Sequence, residues 1–220
     1  MQAAPSLPAP SLTPPRAAAI AGVVFAVLMS TSLILVRLAV PAAARADQGG
    51  WLTDPVKRNA VRFAIQLAPF AGIAFLWFVG VVRNRLGALE DQFFATVFLG
   101  SGLLFVASLF ASAAFSGAVI ETITNGHAAL INTDTYYLAR QLIAAFANVF
   151  AIKMAGVFIF STSMIVFRTG ILPKWISILG FSCGLVLLLV ITSWPWIALL
   201  FPLWMLVVSC RILVADLRRS

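Results

Sequence analysis

An all-α bundle of six transmembrane helices is expected of this sequence, on three observations. Of its 220 residues, 62% are hydrophobic and 10% charged, whereas a soluble domain carries about a quarter charged residues. That leaves too little polar surface to face water. The apolar residues also fall in six long runs, each close to the roughly 20 residues that carry a helix across a hydrocarbon core about 30 Å thick. Finally, the runs show no alternation of polar with apolar residues and are about twice as long as a barrel strand needs. This inventory excludes a soluble enzyme, a nucleic-acid-binding module and a disulfide scaffold. The excess of 15 basic over 7 acidic residues then becomes an orientation signal, with no nucleic acid as partner.

Residues 1–16 hold five of the eleven prolines and no apolar periodicity, so a disordered cytoplasmic arm is expected there. The first span is Ala17 to Val40. Pro41 and the Ala-rich stretch to Ala46 offer an A-x-A cleavage pattern, but the apolar stretch from Ile20 exceeds the roughly 7–15 residues of a signal peptide. The segment is therefore expected to remain as a helix. Asp54 before Pro55 is an N-cap with proline at the first helical position. It starts the second helix outside, ahead of its membrane part Phe63 to Val82, and leaves Trp51 at the interface. Arg83 and Arg85 close that helix near Gly87, and Glu90 and Asp91 open the next, each sign matching the dipole end it meets.

The third span is Phe93 to Ile120. The fourth helix begins outside near Asp134 and crosses from Val149 to Phe167. Its Tyr137, Gln141, Ala144, Asn148, Ala151, Ala155 and Thr162 recur at heptad spacing, and that seam is expected to face protein. The fifth and sixth spans, Lys174 to Ser193 and Trp196 to Val214, are joined by an outer turn at Trp194, Pro195 and Trp196. Pro69 and Pro202 are expected to bend the second and sixth helices.

Six spans put both termini on one side. Eight basic residues lie there (Arg16, Arg83, Arg85, Arg168, Lys174, Arg211, Arg218, Arg219) against Arg45, Lys57, Arg58 and Arg62 opposite. The termini are thus expected in the cytoplasm, and the loop from Glu121 to Asp134, without Lys or Arg, agrees. Small residues at four-residue spacing mark helix contacts in lipid. They occur at Ala18, Gly22, Ala26 and Ser30, at Ala64, Ala68, Gly72 and Gly80, and at Gly100, Ser108, Ser112 and Ser116. Gly180 and Gly184 form a GxxxG pair, for contacts inside a monomeric bundle or, alternatively, a homodimer. Cys183 and Cys210 lie inside apolar runs and read as reduced packing residues.

Polar groups that are costly in lipid mark the candidate site. Arg37, Gln66, Glu121, Asp134, Arg140, Gln141 and Asn148, with His127 nearby, gather near the outer leaflet. One economical arrangement pairs Arg37 with Glu121 or Asp134 and leaves Gln66 and Asn148 to bond across helices. The cluster is either structural or an outward-facing polar pocket. Lys153 points about 160° from the seam, toward lipid or a more peripheral helix, and it is expected to snorkel to the lipid headgroups. No second His or Cys stands at ligand spacing from His127, so no metal is expected. No G-x-S-x-G, HExxH, P-loop or paired intramembrane carboxylates appear, which argues against an enzyme, and no cofactor is indicated.

Phe167 to Gly180, FRTGILPKWISILG, resembles the R-T-G-x-L-P-[KR]-W loop of uncharacterised multi-span bacterial membrane proteins. Phe70 to Ala107 is similar to conserved hypothetical integral membrane proteins of actinobacteria. The resemblance implies a bacterial plasma membrane and no defined activity. Independently, Arg168, Lys174 and Trp175 make a basic and aromatic turn suited to anionic lipid headgroups. The function expected first is a non-catalytic subunit or scaffold meeting partner helices. The alternatives are a small transporter or channel with an outer polar pocket and, third, an intramembrane enzyme.

Overall fold

The computed structural model describes residues 14–41, 49–86, 92–131, 133–170, 172–189 and 196–218. The proline-rich arm up to residue 13, the A-x-A stretch, Glu90, Asp91, Trp194 and Pro195 lie outside these residues. Within them the chain is helical, without strands: α1 Pro14–Ala39, α2 Gly50–Thr53, α3 Pro55–Leu86, α4 Gln92–Thr124, α5 Asp134–Ala144, α6 Ala151–Thr169, α7 Lys174–Leu189 and α8 Leu200–Leu217. Five stretches are long and apolar enough to cross a membrane: Arg16–Ala39, Pro55–Arg83, Phe93–Thr124, Asp134–Thr169 and Ile197–Leu217. Helix α7 is as apolar but has only 16 described residues, which at about 1.5 Å each is short of a full crossing.

Local chemistry sets the helix ends. Asp54 Oδ1 accepts from the backbone N–H groups of Val56 (2.9 Å) and Lys57 (3.4 Å), so the expected cap ahead of Pro55 is formed. Thr133 caps α5 by accepting from Tyr136 N at 3.3 Å. Gly170 ends α6 in the left-handed region, φ 65°, where a Cβ would be strained. Helix α3 runs through Pro69 without interruption. Pro202 falls in the first turn of α8, just after a 3₁₀ turn at Ile197–Leu199. There its missing N–H is one that would have had no helical acceptor, so no break results.

Phenylalanines fill the middle of the bundle. Phe25 of α1, Phe75 of α3, Phe105 of α4, Phe158 of α6 and Phe201 of α8 are buried in one cluster, with ring centroids 4.8–6.1 Å apart. Tilted and edge-on rings at such distances add attraction beyond the area they bury. Helix α1 packs chiefly on α3 and α8, α4 on α3 and α6, and α7 on α6. Glycine permits the closest of these approaches. A Cβ on Gly184 would stand 3.1 Å from the Gly156 carbonyl oxygen, and one on Gly156 3.2 Å from that of Gly184. The GxxxG face of α7 is thus packed against α6 within the chain. A Cβ on Gly22 would likewise run into the Ser209 hydroxyl of α8. Of the expected small-residue stripe on α3, Gly80 departs: it is exposed, with nothing within 4 Å.

The fourth long helix contains an irregularity. Between α5 and α6, Ala145–Phe150 forms a π-helical segment. Before it, the buried residues are Tyr136, Arg140 and Ile143; after it, they include Ala151, Ala155, Ile159 and Thr162. The expected seam named Tyr137, Gln141 and Ala144, each one residue beyond those buried. An extra residue in a wide turn has this effect, because it rotates the preceding helix by about 100° relative to an unbroken α-helix. The correction therefore turns Arg140 inward and leaves Gln141 exposed.

Candidate functional site

A cavity of about 130 Å³ opens between α1, α3, α4 and the α5 end of the fourth helix. Its existence follows from small side chains where helices face one another. Ser32 on α1, Ala64 and Ala68 on α3, Ser112 and Ser116 on α4, and Ala144 and Ala147 all line it. On one side lie Met29, Leu33 and Leu109, which pack against the phenylalanine cluster. On the other, Trp51, Val61 and Ile143 belong to a second, smaller core with Leu52, Ile120 and Tyr136. The void thus sits between two packed layers. Trp51, expected at the membrane surface, is only 4% exposed and forms part of the wall.

Three polar side chains that are expensive in this setting converge on the cavity: Arg37, Arg140 and Asn148. Arg37 Nη2 donates to Asn148 Oδ1 at 2.6 Å, a bond between α1 and the π segment. Arg37 Nε is buried with no hydrogen-bond partner among the described residues. Arg140, 8% exposed, reaches the Pro41 carbonyl at 3.5 Å. Both guanidiniums line the same cavity. Among the described lining residues there is no Asp or Glu. The serines direct their hydroxyls to backbone carbonyls: Ser32 to Ala64 at 2.9 Å, Ser112 to Ile143 at 3.3 Å and Ser116 to Ser112 at 2.8 Å. Ser112 thereby supplies a donor to α5 just before the π segment, where the helical hydrogen-bond pattern changes.

The other expected members of the cluster lie elsewhere. Glu121 is exposed and faces Arg62 at 4.0 Å, and it also accepts from Asn125 Nδ2 at 3.3 Å. Asp134 is exposed in the first turn of α5, where the positive dipole end favours it. The proposed pairing of Arg37 with either carboxylate is therefore replaced by the amide of Asn148. Gln66, Gln141 and His127 are exposed. Among the described residues, no three His, Cys, Asp or Glu side chains group as a metal site would require.

Lys153, expected to reach the lipid headgroups, turns instead to a neighbouring helix. Its Nζ donates to the carbonyls of Leu187 (3.1 Å) and Leu188 (2.7 Å), in the last turn of α7. An ammonium suits those carbonyls, because the C-terminal direction of a helix carries the negative end of its dipole. At the opposite end of the bundle, Arg16 pairs with Asp216, the Arg168 guanidinium lies 4.8 Å over the Phe94 ring, and that of Arg211 lies 5.6 Å over Trp175. Arg168, Lys174 and Trp175 are all exposed. Cys183 is buried and Cys210 exposed, and both thiols are free, so only Cys183 packs inside.

Ser32 and Trp51 are site residues that sequence reasoning did not assign to the site. A serine inside an apolar span carries little signal by itself, and the tryptophan carried a signal for the interface. Comparison with protein-family models, with curated proteins and with solved structures finds no match to this chain.

Proposed function

We propose that this chain is a six-span integral membrane protein of the plasma membrane, with cytoplasmic termini, that binds an anionic ligand in the Arg37 cavity. The basic side chains near the termini support that orientation, which would place the cavity toward the outer leaflet. α7 would complete the sixth crossing with the residues that follow it. The single observation carrying the ligand reading is the gathering of Arg37, Arg140 and Asn148 on one cavity with no described carboxylate in its lining.

A structural ion network would be expected to bring a carboxylate to buried guanidiniums, because a buried charge is costly unless compensated. Among the described residues, the side-chain acceptor that Arg37 meets is a neutral amide, and an anion would supply a countercharge to it. The phenylalanine layer beneath supports a pocket closed on that side rather than an open pore. It suits recognition, or carriage requiring rearrangement, better than free conduction. The scaffold reading rests on lipid-facing surfaces of a kind that any multi-span protein presents.

The test is thermal unfolding of the purified protein with methyl phosphate, acetate and chloride at matched ionic strength. Methyl phosphate or acetate should raise the midpoint by several degrees, since a ligand at 100 times its Kd contributes about 2.7 kcal/mol. The effect should vanish in Arg37→Met and shrink in Asn148→Leu. An equal shift in Arg37→Met, or no shift with any anion, would refute the reading.

A further inference from the structure

We infer that the natural ligand is an amphiphile of the bilayer, with a phosphate or carboxylate head on Arg37 and an apolar tail reaching it sideways between α1 and α5. The inference rests on the anion-binding reading above and adds the ligand's class and route.

The head is specified by the unused part of the Arg37 fork. One Nη is engaged with Asn148, while Nε is buried without a partner among the described residues. A guanidinium presents adjacent N–H groups that match two oxygens of a phosphate or carboxylate. An Nε–H left unmade in a buried setting carries a desolvation cost that such an oxygen removes. The tail is specified by the remaining walls. Away from the arginines, Met29, Leu33, Val36, Ile65 and Leu109 surround the void, and a small hydrophilic anion would leave these unused. At about 130 Å³, the cavity resembles in size one that holds benzene, enough for a head and a few carbons.

The route follows from packing. Helix α1 packs chiefly on α3 and α8, and α5 on α4. Across the cavity, the α1 side is joined to the fourth helix by side-chain bonds, Arg37 to Asn148 and Arg140 to Pro41. These bridges can open without separating tightly packed helices, and the Arg37–Asn148 bridge joins two stretches long and apolar enough to cross the membrane. A chain inserted there continues outward among lipid acyl chains.

The experiment measures binding of alkyl phosphates, from methyl to octyl, to the full-length protein in phosphatidylcholine nanodiscs. Wild type is compared with Arg37→Met and Ala147→Leu; Ala147 lines the cavity beside Asn148. Partitioning into the bilayer is common to all three proteins, so the ratio of their affinities reports the cavity. In wild type relative to Ala147→Leu, affinity should rise about fourfold per methylene over the first few carbons and then level off, while Arg37→Met should lose affinity by a similar factor at every chain length. Ala147→Leu should bind methyl phosphate as wild type does and lose that rise. A ratio flat with chain length, with methyl phosphate still bound, overturns the amphiphile and leaves a site for a small soluble anion. Loss of methyl phosphate binding as well overturns the anion reading itself. If Ala147→Leu fails to fold, Ile65→Phe fills the same apolar wall and is read in the same way.

Discussion

Replacing Arg37 by Met should leave the empty protein about as stable as before, although Arg37 makes one of the shortest polar contacts between helices. The substitution loses a charge-assisted hydrogen bond of 2.6 Å to Asn148, worth about 1.5–3 kcal/mol. It also removes a guanidinium from an apolar helix. That recovers roughly 2.5–3.5 kcal/mol at mid-membrane and about 0–1 kcal/mol near an interface. Arg37 lies in the last turn of α1, so the smaller figure applies. Two like charges around one cavity repel by on the order of 2 kcal/mol at an effective dielectric constant of 20, and that repulsion from Arg140 disappears too. The opposing sums nearly cancel, and Met keeps much of the apolar stem. The net change should stay within about 1 kcal/mol, a shift of roughly 2–4 °C for a chain of this size. Thermal unfolding followed by tryptophan fluorescence, without added anions, reads it directly. A drop well beyond ten degrees would show that Arg37 holds the bundle together, and the reasoning that sets it aside for a ligand would fail.

The remaining predictions concern packing and register. Gly184→Leu should destabilise the α6–α7 contact by about 1–3 kcal/mol, because the new side chain meets the backbone of Gly156. Gly100→Ala, with nothing within 4 Å of its added Cβ, should stabilise by about 0.5–1 kcal/mol through helix propensity; both are read by thermal unfolding. Lys153→Met should loosen the end of α7, seen as roughly tenfold or faster amide exchange over its last turn, with α8 unchanged. Deleting Ala145 should convert the π segment to α-helix and keep both buried faces in place. Deleting Ala155 should rotate one half of the helix against its neighbours, so its yield in size-exclusion chromatography should collapse while that of the Ala145 deletion persists.

Long apolar runs and their capping signals made most helices legible, since length, Asp54–Pro55 and Thr133–Asp134 report local physics. Small residues at four-residue spacing located real contacts, as at Gly22 and Gly184, because close approach depends on side-chain size. The fourth helix shows where such reading stops. Periodicity assumes an unbroken helix, and a single additional residue between Ala145 and Phe150 reassigns Gln141 to the exposed face and Arg140 to the cavity. No residue type marks a π turn, which depends on the neighbours it packs against. Arg37 and Asn148 were each recognisable as costly, but their pairing required the tertiary arrangement. Charge complementarity pointed instead to Glu121 and Asp134, which lie on exposed faces. Lys153 could be placed on the side away from the seam, whereas its acceptors, the carbonyls of Leu187 and Leu188, depended on how α7 packs against α6.

The most direct test of the account is a high-resolution density map of the protein purified in native lipid, inspected at the cavity. The account predicts extra density within hydrogen-bond distance of Arg37 Nε, shaped as a compact head and leading outward between α1 and α5. A cavity collapsed around Arg37, with its guanidinium on a carboxylate of the chain itself, would contradict it.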